Sequence, residues 1–131
     1  MKKRILSIIL LFAFLSIPVW ALAATVEGTV QGLHCVQMGK TCPVDKQDPI
    51  AALESTFVVL SSSGSYYLVP NLDRAVLARH LTDQVRISGN ISSKYNSIVA
   101  DKVEVKKDGK WKTVWSKEMQ KEMDELLETG A

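Results

Sequence analysis

VRISGNIS, residues 85–92, is the clearest strand of the chain and the stretch on which the fold turns. Val85, Ile87, Gly89 and Ile91 alternate with Arg86, Ser88 and Asn90, so one set of side chains faces a core and the other faces water. Downstream, the polar turn Ser92 to Ser97 leads into Ile98 to Lys107, where Val103 and Val105 oppose Lys102, Glu104 and Lys106. Asp108-Gly109 predicts a type I′ hairpin, because that turn needs positive φ at both central residues. Lys110 to Trp115 then return as a further strand. Met119, Met123, Leu126 and Leu127 run as an apolar stripe through a charged segment, which predicts an amphipathic helix over residues 116–128.

Upstream of the same stretch, Pro70 and Asn71 end a strand, and Asn71 is the expected cap of a helix carrying Leu72, Val76, Leu77 and Leu81. Phe57 to Leu60 and Tyr66 to Val69 form a hairpin around Ser62-Ser63-Gly64-Ser65. The first strand is marked by Val26, Gly28 and Val30 alternating with Glu27, Thr29 and Gln31. Between it and the hairpin lies a long excursion, Gly32 to about Ser55. It is broken by one helical turn with Asp48 as cap and Pro49 at the first helical position.

The order strand, long loop, two-stranded hairpin, helix, two strands is similar to the OB-fold. The stretch VRISGNIS resembles that fold's fourth strand, where a glycine relieves crowding as the strand bends round a small barrel. The expected architecture is mainly β: an OB-like five-stranded Greek-key barrel with one helix between strands three and four. A C-terminal hairpin strand and an amphipathic helix are additions to it. More narrowly, the chain resembles the bacterial periplasmic OB-fold proteins. That resemblance implies a ligand face on strands two and three, flanked by the loops joining strands one to two and four to five. The candidate contacts there are Tyr66, Tyr67, Arg86, Lys94 and Tyr95.

Residues 1–23 read as a signal peptide: Lys2, Lys3 and Arg4, an apolar run from Ile5 to about Trp20, then Ala21-Leu22-Ala23 as the cleavage pattern. Residues 24–115 are the expected barrel domain, and 116–131 the helix and tail. The chain carries 16 Lys+Arg against 14 Asp+Glu, but three of those cations lie in the signal. The mature chain therefore holds 13 cations against 14 acids, a net charge of −1. That value argues against nucleic acid as a partner, because phosphate binding draws on a net cationic field. The expected setting is periplasmic or secreted, without membrane insertion after cleavage. The expected role is a non-enzymatic binding module for a small molecule or a cell-envelope protein, with no cofactor. The stripe of Met119, Met123, Leu126 and Leu127 is a second surface on which a partner chain could dock.

Both cysteines fall in GLHCVQMGKTCPV, residues 32–44. An exported chain meets an oxidising compartment, and Gly39 lets the chain turn back, so a Cys35–Cys42 disulfide is the leading expectation. The alternative is a copper or zinc site, or a thiol-redox centre, made by His34, Cys35, Met38 and Cys42. A thiol oxidoreductase would ordinarily show a tight C-x-x-C at a helix start, which this spacing is not. No serine lies in a G-x-S-x-G context, and no glycine loop suited to phosphate or EF-hand calcium is present.

Overall fold

The computed structural model describes residues 23–130, so the signal-peptide reading lies outside the described residues. Strand β1 (Ala24–Gly32) is followed by helices α1 (Leu33–Gln37) and α2 (Gln47–Leu53). Strands β2 (Phe57–Leu60) and β3 (Tyr66–Leu68), helix α3 (Arg74–Ala78) and strand β4 (Gln84–Ser92) come next. Strands β5 (Ser97–Lys107) and β6 (Lys110–Ser116) and helix α4 (Lys117–Thr129) complete the order. The chain is mainly β. The sheet runs β3-β2-β1-β4-β5-β6 with antiparallel neighbours, and a parallel contact at Leu68 and Ser97 joins β3 to β5. Hydrogen bonding therefore runs in a ring through β1, β2, β3, β5 and β4, with β6 appended to β5.

The alternation read from sequence decides what lies inside the ring. Val30, Val59, Val85, Ile87, Ile98, Val103 and Val105 are all fully buried. These β-branched side chains suit a pleated surface, and burying each stabilises the fold by roughly 1.5–3 kcal/mol. Leu77 and Leu81 from the α3 region join the same core. Asp108 and Gly109 both take positive φ, at 51° and 75°, as the type I′ turn requires.

Three local readings differ from the sequence expectation. Helix α3 is shorter, and its cap is Asp73, whose Oδ1 accepts the Ala75 N–H at 2.7 Å. Asn71 instead reaches β5, where its amide donates to the Ala100 carbonyl and accepts the Ala100 N–H, both at 2.8 Å. A side chain that reproduces a strand pairing gains two bonds where a cap would give one. Helix α2 begins one residue before Asp48, out of a 3-10 turn at Val44–Lys46. Helix α1, within the cysteine loop, was not visible in the sequence: five residues are too few to display a helical period.

Helix α4 forms as its stripe predicts, with the Ser116 hydroxyl accepting the Met119 N–H. None of its residues is buried, and Met123 and Leu127 are 53% and 74% exposed. Its polar ties to the sheet are the Trp115 indole N–H, which donates to Gln120 Oε1 at 3.2 Å, and a solvent-exposed ion pair between Lys117 and Asp101 of β5. Truncation after Ser116 should therefore cost only about 1–2 kcal/mol, the value of one such bond with an exposed ion pair adding little. Urea denaturation of the truncated chain checks this: a cooperative transition at slightly lower midpoint is expected, and a failure to fold would mean the helix is integral to the core.

Candidate functional site

The cysteine segment is built by a helix stop. Helix α1 ends in a Schellman arrangement, in which Gly39 takes φ 70° and its N–H donates to the Val36 carbonyl at 2.9 Å. The Lys40 N–H closes on the Cys35 carbonyl, also at 2.9 Å. Only glycine occupies that left-handed position without strain. The reversal brings Cys42 back under α1, where its Sγ lies 3.0 Å from Cys35 Sγ.

The two thiols differ in surroundings. Cys42 is buried, its N–H donating to Gln31 Oε1 at 2.6 Å and its sulfur accepting the Gly32 N–H at 3.2 Å. Two bonds to the end of β1 thus hold it to the barrel. Cys35 is half-buried on α1. The Cys42 thiol bonded to Cys35, then burial, push the Cys35 thiol up to about 11. Alkylation proceeds through the thiolate. Iodoacetamide labelling of Cys35 in the reduced protein should therefore keep rising about tenfold per pH unit from pH 7 past 9, where an ordinary cysteine levels off. A plateau near pH 9 would contradict the pairing. Because the folded value lies above the ordinary one, this pair stabilises the reduced protein below pH 9.0 and ceases to do so as pH rises towards about 11.

Cys35 also forms one wall of a groove of about 460 Å³, with His34, Pro49, Ile50, Leu53, Glu54 and Ser55 as the other lining residues. Glu54 is not free to act there. Its Oε2 accepts the His34 N–H at 3.1 Å, and its Oε1 accepts the Ser55 and Thr56 N–H groups at 3.1 and 3.4 Å. It pins the mouth of the excursion shut, and Leu33 N–H to the Thr56 carbonyl adds a rung. Arg74 ties α3 to the end of α2 by donating to the Glu54 and Ala51 carbonyls, and it stacks over Phe57 at 5.1 Å. The groove is left with an imidazole at one end and an apolar floor whose Leu53 is 85% exposed.

The five side chains expected on the strand 2–3 face are dispersed. Tyr67 packs on the core and pairs with buried Val59, and Tyr66 takes the opposite face of β3. Lys94 lies over the Tyr95 ring at 5.1 Å in the β4–β5 turn, and the Leu68 N–H bonded to the Asn96 carbonyl sets that turn beside β3. Arg86 is elsewhere and fully engaged: Nε donates to Glu104 Oε2 at 3.0 Å, and the guanidinium stacks on Trp111 at 4.4 Å. Arg86, and secondarily Lys102, hold the Glu104 carboxyl below its ordinary range against the opposing effect of burial. None of the five lines the groove. The lining residues Pro49, Ile50 and Leu53 belong to the helical turn expected from the sequence but not to its candidate site, although the apolar run Ile50 to Leu53 in a surface excursion was the one available signal.

Of the four residues considered as metal ligands, Cys35 and Cys42 are in contact, whereas Met38 is exposed at the end of α1. Among the described residues no three His, Cys, Asp or Glu side chains gather as a ligand set. Two thiolates on one zinc ion lie about 3.8 Å apart, given Zn–S bonds of about 2.3 Å in a tetrahedron. The observed 3.0 Å is shorter than that and about 1 Å longer than a disulfide bond.

Comparison with protein-family models, curated proteins and solved structures finds no match for this chain.

Proposed function

We propose that this chain is an exported, non-enzymatic binding module on an OB-like Greek-key barrel, whose groove in the β1–β2 excursion receives an apolar group of a small molecule or cell-envelope protein. The ring of pairing through β1, β2, β3, β5 and β4, with a helix between β3 and β4, supports the barrel reading. The excursion occupies the connection between the first two strands, one of the places where such barrels carry ligands.

One observation carries the reading: the groove floor is apolar while its carboxylate is already satisfied by backbone N–H groups. A site of that chemistry gains by covering Leu53, Ile50 and Pro49, and it offers nothing to a charged ligand beyond His34. Binding fits it better than catalysis. An enzyme working through Cys35 would hold that thiol down, and its neighbour pushes it up. The sulfur separation is also shorter than two thiolates on one zinc ion take.

Photo-cross-linking in the intact envelope tests the reading, with a photoreactive side chain at position 53 and, in parallel, at 95 and 111. A discrete adduct from 53 that is absent from 111 is the expected result. Adducts from 95 alone would move the site to the tyrosine-bearing face, and none from any position would remove the binding reading.

A further inference from the structure

We propose that Cys35 and Cys42 are a reversible oxidation site for small disulfides of the glutathione class, and that closing their bond resets the α1 wall of the groove. The groove's role as a binding site rests on the reading above, but the coupling between thiols and groove does not.

The geometry points to this in three ways. The sulfurs are already 3.0 Å apart, so a displacement of about 1 Å completes the bond. The displacement falls mainly on Cys35, because Cys42 is held directly to β1 through Gln31 and Gly32, whereas the short helix α1 is tied only at Leu33 and His34, ahead of Cys35. Finally, Cys35 lines the groove with Ile50 and Leu53 and Cys42 does not, so drawing Cys35 towards Cys42 displaces that wall.

Burial also sets the order of steps. Cys35 is the sulfur an external disulfide reaches. Its thiolate, having lost its proton to water, attacks one sulfur of glutathione disulfide. A Cys35–glutathione bond forms, and the first glutathione leaves as a thiolate that takes up a proton. Cys42 then loses its proton and attacks Cys35 Sγ, forming the intramolecular bond and releasing the second glutathione. Two electrons pass from the two cysteines to the one oxidant disulfide, and the reverse sequence returns them.

The test uses glutathione redox buffers on the mature chain, read by mass spectrometry and by amide NMR spectra. Wild type should oxidise without retaining an adduct, Cys42→Ser should stop at one glutathione on Cys35, and Cys35→Ser should gain none. Between the oxidised and reduced wild type, shifts are expected at residues 31–42 and also at 49–55, with 110–116 unchanged. The double variant Cys35→Ser/Cys42→Ser should give a spectrum that ignores the buffer. Shifts confined to 31–42, or thiols that stay reduced in excess glutathione disulfide, would overturn the proposal. Loss of the position-53 cross-link in both redox states would remove the binding reading alone, since the spectra report the coupling without it.

Discussion

Gly89→Ala is expected to lower stability by about 3 kcal/mol or more. Strand β4 pairs Ser88 with Lys102 but Gly89 with Ala100, so Asp101 is the extra residue of a bulge in β5. The strands bend there, and the approach is close enough that a Cβ on Gly89 would lie 2.0 Å from the Val99 carbonyl oxygen. Backbone is what it meets, so no rotamer change relieves the clash and the ring itself must open. Gly64→Ala is the control. Its φ of 86° strains alanine, as the φ of Gly89 does not, yet nothing lies within 4 Å of the added carbon. That change should cost only about 1 kcal/mol, the conformational part. Urea denaturation of both variants separates crowding from backbone freedom. A loss at Gly89 no larger than that at Gly64 would mean that the strands part at the crossing at little cost.

Asn71→Ala should cost about 2–4 kcal/mol. Ala100 is fully buried in β5, and its N–H and carbonyl are both met by the Asn71 amide. Removing the amide leaves a donor and an acceptor that must find water or go unpaired. Asn71→Asp sharpens the test. A carboxylate still accepts the Ala100 N–H, but it faces the Ala100 carbonyl with a second acceptor, so the variant should be destabilised at pH 7. Protonation restores a donor and raises the folded-state pKa above the ordinary one, so the loss should shrink as pH falls towards about 4 and be smallest below it. Denaturation midpoints at pH 7 and 3.5, each referred to wild type at the same pH, give the comparison. A pH-independent loss would indicate that Asn71 acts through packing.

These two residues also mark how far the sequence reached. Gly89 was legible because a period-two pattern with one glycine has few physical explanations, and the bend is among them. The apolar positions of β1, β4 and β5 were legible for the same reason: alternation is a local property that tertiary packing seldom reverses. Asn71 was misread as a cap because capping is also a local rule, and its competitor was a strand 29 residues away. The groove depended on the same kind of distant contact. Its walls come from α1 and from α2, brought together by Glu54 through bonds to His34, Ser55 and Thr56. The turn at Gly39 was foreseeable, and it has the positive φ that a chain reversal requires. Which side chain that reversal would expose to the groove was not, since a five-residue helix leaves no periodicity to follow.

The proposed reading makes the cysteine segment a thiol-linked wall of a binding groove in an exported protein rather than a metal centre. Intact mass spectrometry of the protein taken from its export compartment tests it most directly, run natively and denatured, with alkylation before and after reduction. The expected mass is that of a chain beginning at Ala24 and lacking two hydrogens, with no metal in the native spectrum and both cysteines labelled only after reduction. Immediate labelling of both thiols together with a metal mass on the native protein would contradict it.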